Sequence, residues 1–270
     1  MIPSISLNDG HSIPQLGLGT WPLSDAEVAV VVPTAIELGY RHIDTAVKYG
    51  NEAGVGEGIR RSGIDRDELF VTTKLDGEFQ GEDRAIEGLR GSLERLDLEY
   101  VDLLLIHWPL PDRGEFLSTW RTFEKLHADG FARSIGVSNF KPAHLDVLLD
   151  AGATVPAVNQ VDLSPTNARL TDRAYHDSRG IVTEAWSPIK GVLDQPVLLE
   201  IAEKHERSAA QIALCWHLQN GLVAIPKSAN PDRLADNIAI FDFELDTRDL
   251  DAISAIDVPG SGADSDEIGH

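Results

Sequence analysis

Along the chain, short runs rich in Val, Ile and Leu alternate with stretches in which apolar residues recur at helical spacing. The runs are Leu16 to Thr20, His42 to Ala46, Leu69 to Lys74, Val101 to His107, Arg133 to Ser138, Ala157 to Val161, Ile181 to Trp186 and Val223 to Lys227. Val101 to Ile106 is almost continuously apolar, the pattern of a strand buried on both faces of a parallel sheet. Helical period marks Asp25 to Leu38, Glu82 to Leu96, Trp120 to Ala128 and Pro231 to Ile240. Ser24-Asp25, Asn51-Glu52 and Asn230-Pro231-Asp232 supply the N-cap and first-turn residues that start helices. Asn8-Asp9-Gly10 predicts a hairpin turn ahead of the first run. Eight alternating β and α units with no break in composition predict an α/β fold, a (β/α)8 TIM barrel with an N-terminal β-hairpin, in preference to an open doubly wound sheet. From Val258 onward the chain is polar and Gly-rich, which predicts a short, mobile C-terminal tail.

Composition narrows this picture. With 42% hydrophobic and 25% charged residues, the 270 residues can bury a core without disulfides or metal and are read as a single barrel domain over residues 1–270. Forty-four acidic against 23 basic side chains give a net charge of -21, which argues against nucleic acid and anionic membrane surfaces as partners. Any anionic ligand then has to be held by a few placed cations. Cys215 is the only cysteine; it excludes an internal disulfide and paired-cysteine zinc sites, and its apolar helical setting predicts a packed thiol. No stretch approaches the roughly 20 apolar residues of a membrane span, and the N-terminus lacks a basic region followed by a long apolar run, so a cytoplasmic protein is expected.

In a parallel barrel the chemistry gathers at the C-terminal ends of the strands. Those ends read Thr20-Trp21, Asp44, Lys74, His107-Trp108, Ser138-Asn139, Gln160, Trp186-Ser187 and Lys227-Ser228. Ordinary loop starts would be dominated by Gly, Asn and Asp, with few Trp. Asp44, Lys74 and His107, with Tyr49 five residues beyond Asp44, suggest proton chemistry. A lysine near a phenol stabilises the phenolate, which should lower the Tyr pKa toward the working range, while a buried Asp keeps that lysine charged. Taken singly, His107 is equally a hydrogen-bonded core histidine, and Trp21, Trp108 and Trp186 are equally core aromatics.

The segments Asp44 to Glu52, Thr73-Lys74-Leu75, Ile106-His107-Trp108-Pro109, Gly136 to Phe140 and Ile225-Pro226-Lys227-Ser228 together resemble the aldo-keto reductase superfamily, from about Ile5 to Ile256. Ala185-Trp186-Ser187-Pro188 and the short tail resemble its bacterial 2,5-diketo-D-gluconate reductase-like branch. The resemblance implies an NADPH-dependent oxidoreductase that reduces aldehydes or ketones, with dicarbonyls, keto acids and keto sugars among the candidates, and a monomer. Asp44, Tyr49, Lys74 and His107 would form the catalytic set, with Tyr49 as general acid and His107 orienting the carbonyl. Trp21, Lys48 and Trp108 would line the substrate pocket.

By the same resemblance Ser138, Asn139 and Gln160 would hold the carboxamide of NADPH, Trp186 would stack on the nicotinamide and Ser187 would follow it along the cofactor. Lys227, Ser228 and Arg233 would hold the 2′-phosphate and Asn237 would meet the adenine. Two cations near a helix N-terminus are unfavourable unless an anion is present, which agrees. The chain departs from the family pattern at Asp162-Leu163-Ser164-Pro165, at Lys190, where a glycine is usual, and at Asp236, where a Glu is frequent. Lys48 stands where an apolar residue is frequent; it either snorkels to solvent or offers a cation to carboxylate-bearing substrates. A non-catalytic NADP-binding or structural member of the superfamily is the alternative function. A metal-dependent barrel hydrolase is short of ligands, and no metal is expected.

Overall fold

The structure is a computed structural model that describes residues 2–268. β1 (Ser4–Ser6) and β2 (Ser12–Pro14) pair antiparallel with Ile5 opposite Ile13, and the turn between them carries Gly10 at φ 91°. This is the expected hairpin.

Eight parallel strands follow: β3 (Leu18–Gly19), β4 (His42–Asp44), β5 (Phe70–Leu75), β6 (Val101–Ile106), β7 (Ala132–Ser138), β8 (Val158–Asp162), β9 (Val182–Trp186) and β10 (Val223–Ile225). They pair in sequence order. The first and last strands are joined by Gly17 N–H to Ala224 O at 2.9 Å, Ala224 N–H to Gln15 O at 2.9 Å and Gly19 N–H to Pro226 O at 3.1 Å, which closes the barrel. Each predicted run holds a strand; most are trimmed where the chain turns into a loop, while β5 runs on to Leu75, β7 starts at Ala132 and β8 reaches Asp162.

The helices surround the strands: α1 (Asp25–Leu38), α2 (Glu52–Ser62), α3 (Glu82–Leu96), α4 (Phe116–Ala128), α5 (Pro142–Asp150), α6 (Leu170–Asp177), α7 (Pro196–His205), α8 (Ala209–Gln219), α9 (Pro231–Ile238) and α10 (Thr247–Ser254). Ser24 and Glu27 form a reciprocal capping box at the start of α1, and the Asn230 side chain accepts from the N–H groups of Asp232 and Arg233 at the start of α9. Asn51 is different. Its side chain accepts from Thr45 Oγ1 at 2.8 Å and donates to Leu23 O at 2.9 Å, so it ties the β4 loop to the β3 loop instead of capping α2. Helix α4 begins four residues before the predicted Trp120, because Phe116 is itself buried against Phe140. Trp120 and Phe123 are fully buried between strands and helices, and Cys215 packs beside Trp216 as a core thiol. Among the described residues no helix is long and apolar enough to cross a membrane.

The glycines of α2 and the C-terminal tail each have a packing role in the fold. Gly54, Gly56 and Gly58, which fail the dinucleotide-binding spacing, lie on the buried side of α2. A Cβ on Gly54 would meet Asp25 O at 2.0 Å, and one on Gly56 would meet Leu96 O at 2.3 Å. The glycines therefore let α2 approach the backbones of α1 and α3. The tail, expected to be mobile, is docked instead: Lys141 pairs with Asp264 and Asp266, His144 Nε2 lies 2.9 Å from Asp266 Oδ1, and Arg169 donates to Ala263 O at 2.8 Å. Charge, not apolar burial, holds it.

Gly56→Ala gains roughly 1 kcal/mol of helix propensity but should still destabilise by about 1–3 kcal/mol, because the backbone oxygen it strikes cannot turn away. Urea unfolding beside Glu57→Ala, a partly exposed neighbour, checks this; a Gly56→Ala protein as stable as wild type would show that α2 has room.

Candidate active site

At the C-terminal mouth of the barrel lies a cavity of about 610 Å³. Its centre is built on Lys74, which is fully buried near the end of β5. The ammonium has three hydrogens and finds three acceptors: Asp44 Oδ1 at 2.6 Å, Thr45 O at 3.0 Å and Tyr49 Oη at 3.1 Å. Asp44 ends β4, and the single helical turn Val47–Tyr49 brings Tyr49 back over it. Strand parity explains the aim: Asp44 pairs with Thr72, two residues before Lys74, so both side chains face the barrel axis.

The second oxygen of Asp44 accepts from Gln160 Nε2 at 2.8 Å, and the same nitrogen donates to Glu184 Oε2 at 2.9 Å. Carboxylate oxygens there require the amide nitrogen, so the Gln160 orientation is set and its Oε1 is left for the cavity, which Gln160 lines. Ser138 Oγ donates to Gln160 O at 2.9 Å, while Asn139 Nδ2 donates to Ser138 Oγ and to His107 O. Trp186 Nε1 donates to Asn139 Oδ1 at 2.9 Å and the indole lines the cavity. Ser138 thus braces its neighbours and does not cap α5, where Lys141 holds the N-cap position.

Around the opening, the Tyr49 ring lies 5.3 Å from Trp21 and 5.7 Å, edge to face, from His107. Trp21 is 58% exposed, so with Trp108 it forms a wall that solvent reaches. Lys48 is half-exposed and its Nζ is 3.6 Å from Asp76 Oδ2. It lines the cavity, half-solvated and at the same time facing Asp76 as one half of an ion pair. Lys190, the cation standing in for glycine, reaches Asp162 Oδ2 at 3.3 Å; two departures from the family pattern thus meet one another. Ser187 and Lys227 line the far side of the cavity. Ser228 is buried, with its hydroxyl exchanging hydrogen bonds with Asn230, so it shapes the turn. Arg233 is exposed on the first turn of α9 and Asn237 is buried on the same helix, both outside the cavity.

The sequence model of the aldo/keto reductase family matches residues 15–258. The chain belongs to that family. It is 48% identical over 270 residues to morphine 6-dehydrogenase of Pseudomonas putida, covering 94% of this chain and 91% of the relative. It is 42% identical to methylglyoxal reductase DkgA of Escherichia coli strain K12, covering 98% of each. A crystal structure of a Gox0644 mutant in complex with NADPH superposes with a TM-score of 0.95 at 43% identity, covering 99% of each chain. The resemblance read from the motifs is borne out, and with it an oxidoreductase of the carbonyl-reducing kind.

Burial dominates the electrostatics of this family member. It works against the Lys74 ammonium, but Asp44 and Tyr49 outweigh it and the lysine stays charged. Burial likewise raises Tyr49; Lys74 pulls the other way but is outweighed, with Asp44 and Glu184 adding to the rise. The expected lowering of the phenol is therefore not realised, and Tyr49 holds its proton across the neutral range. His107 is held well below the usual imidazole value by burial, then by Lys74 and Lys48, so the ring is neutral. Glu184 went unnoticed in the sequence, although period-two reading of Val182, Glu184 and Trp186 puts it on the inward face with Trp186. Burial, reinforced by Asp44, pushes its carboxyl up to about 8. Asp76 was also missed; it shares parity with Thr72 and Lys74.

Glu184 makes stability pH-dependent with a definite sign. Unfolded, it ionises near 4.5; folded, it keeps its proton up to about 8. Between these values the native state binds the extra proton, so this group's contribution falls as pH rises through that window. Glu184→Gln should remove the effect, giving a variant whose Tm gains on wild type between pH 5 and pH 8.5. Parallel Tm curves over that range would mean Glu184 is ionised throughout.

Proposed function

We propose that the chain is an NADPH-dependent reductase of aldehydes or ketones with Tyr49 as the general acid. The observation that carries this reading is the Tyr49 hydroxyl at the cavity wall, 3.1 Å from an ammonium that is buried and already paired with Asp44. A phenol so placed donates a hydrogen bond to a carbonyl oxygen. As its proton moves to that oxygen, the phenolate left behind is stabilised by Lys74 in a dry site, where the charge interaction is strong. Asp44 keeps the lysine charged throughout. His107, packed edge to face beside Tyr49, positions the substrate, and Trp21 and Trp108 limit access of water. The opening of the Tyr49 hydroxyl onto the cavity beside this ion pair favours catalysis over a purely cofactor-binding or structural role.

The residues present suit NADPH. Gln160 Oε1 is an acceptor for a carboxamide NH2, and Ser138 and Asn139 are bonded to one another and so can exchange those bonds for the carboxamide. Trp186, fixed by Asn139, offers an aromatic face, and Ser187 continues the wall. Lys227 and Arg233 are exposed cations in a chain of net charge -21, suited to a terminal phosphate, with Asn237 beside them for the adenine. The Asn230 cap already occupies first-turn N–H groups of α9, so side chains and not the helix end would hold that phosphate. Bound NADPH would supply the hydride to the carbonyl carbon. The complex of the Gox0644 relative with NADPH supports the assignment.

Tyr49→Phe should lower kcat by roughly 10² to 10⁴ with NADPH affinity little changed, because the phenol acts on charge that develops in the transition state. Wild-type kcat in that variant would remove Tyr49 as the acid. Arg233→Ala should erase most of the preference for NADPH over NADH, since a charge-assisted phosphate contact is worth about 1.5–3 kcal/mol, or at least tenfold. Equal Kd values for the two cofactors in wild type would sink the phosphate site.

A further inference from the structure

The mechanism above uses one carboxyl of the barrel axis, Asp44, and leaves a second without a task. Glu184 is fully buried on β9. Its Oε2 accepts at 2.9 Å from the Gln160 nitrogen that also donates to Asp44 Oδ2 at 2.8 Å. Its Oε1 is closed off from solvent and has no hydrogen-bond partner. That oxygen faces His42 Nε2 at 3.7 Å, too far for a hydrogen bond, and His42 Nε2 already lies 3.0 Å from Thr72 Oγ1.

Few charges surround this carboxyl. β4 presents His42 and Asp44, β5 presents Thr72 and Lys74, β8 presents Gln160, and β10 runs alongside β9 with apolar Val223, Ala224 and Ile225. The three hydrogens of Lys74 are taken by Asp44, Thr45 and Tyr49. Because the ammonium lies 2.6 Å from Asp44, Asp44 is the carboxyl that keeps its charge. An ionised Glu184 would place a second negative charge in the same enclosure, with one oxygen bare, and that is costly. A neutral acid in its place leaves only an uncharged group without a partner, a smaller penalty.

We propose that Glu184 is a positioning residue whose proton governs the acid strength of Tyr49, so that carbonyl reduction is fast while Glu184 is protonated and slows to a lower, non-zero rate once it ionises. The inference rests on the carbonyl-reducing reading of the site. The contacts from Glu184 run unbroken through Gln160, Asp44 and Lys74 to the Tyr49 hydroxyl. When Tyr49 gives its proton to a carbonyl oxygen, the nascent phenolate depends on Lys74. With Glu184 neutral, that ammonium answers one carboxylate and the phenolate. With Glu184 ionised, a further negative charge draws on the same ammonium and opposes the phenolate. In agreement, Glu184 joins burial and Asp44 in holding the Tyr49 phenol up. Burial, then Asp44, push the Glu184 carboxyl itself to about 8, which brings the change within experimental reach. Glu184 does not line the cavity, so its ionisation removes no group that meets substrate. A step down to a plateau is therefore its mark, whereas loss of an essential acid would carry the rate toward zero.

Single-turnover reduction of 4-nitrobenzaldehyde by the NADPH-loaded enzyme, followed by loss of NADPH fluorescence from about pH 6 to about pH 10, isolates the chemical step. For charges on the order of 10 Å apart at an effective dielectric of about 20, the wild-type rate should step down by roughly threefold to tenfold near pH 8 and then level off. In Glu184→Gln the step should be absent, whatever that protein's absolute rate. Infrared difference spectra of wild type minus Glu184→Gln should show the C=O band of a protonated carboxyl at pH 6 that is gone by pH 10. A step that persists in Glu184→Gln, a wild-type rate that does not change across this range, or no protonated-carboxyl band at pH 6 would overturn the proposal. If neither protein reduces the aldehyde at any pH, the carbonyl-reducing reading fails and the rate clause with it, while the infrared band still decides where the proton resides.

Discussion

A lysine ammonium enclosed in the barrel is the constraint from which the rest of the site is built. Lys74 is without solvent contact, and an uncompensated charge in such a place would cost several kcal/mol after relaxation. Its three hydrogens are all used, on Asp44, Thr45 and Tyr49. Because Asp44 must then turn one oxygen to Lys74, its other oxygen faces β8 and demands a donor. Gln160 supplies it, and the amide of Gln160 is thereby oriented with its oxygen outward. The direction of one hydrogen bond at β5 thus determines what β8 offers at the mouth, two strands beyond the neighbour it pairs with directly.

The same enclosure contains more acid than base. Asp44 and Glu184 share one Gln160 nitrogen, while among the described residues Lys74 is the one cation bonded to this group. Two ionised carboxyls there would leave a net negative charge in a dry interior. Retention of a proton on Glu184 removes that excess, and burial together with Asp44 pushes in that direction. Its Oε1 faces His42 Nε2 at 3.7 Å, and His42 is itself kept neutral by burial and by Lys74, with its pKa down to about 3. The barrel axis therefore carries one full ion pair, Lys74 with Asp44, surrounded by neutral polar groups. That is the arrangement in which a phenol next to the lysine gains most from the charge when it gives up its proton.

Much of this was legible along the chain because a parallel barrel maps strand ends onto one face. Asp44, Lys74, His107 and Ser138 are each found within one residue of a strand's end and Gln160 two residues inside β8, and the closure by β3 and β10 draws them together. What escaped notice has a common physical cause. Glu184 lies one turn of the pleat inside its strand, and Asp76 one beyond, so attention to the end residue alone passes over side chains of the same parity on either side. Ser228 and Lys190 were assigned ligand contacts or left open, yet their partners Asn230 and Asp162 lie within the protein. Nor does the sequence say whether a buried lysine or the burial itself wins at Tyr49; that depends on how much solvent the fold removes.

The tail makes the same point about charge. Its composition carries few apolar groups, and by that measure it has little to gain from docking. In a chain of net charge -21, however, the few cations placed near one another become strong local attractors. Lys141, at the start of α5, and Arg169, at the start of α6, collect Asp264, Asp266 and the carbonyl of Ala263. Ala263 N–H then donates to Asp162 Oδ2 at 3.3 Å, the oxygen that Lys190 also reaches. Asp162 ends β8 opposite Trp186, so the tail is joined through one buried carboxylate to the strand pair that carries Gln160 and Trp186. A segment that looks disposable by composition is in this way bonded to the wall of the site, and its attachment weakens wherever salt screens the exposed pairs at Lys141.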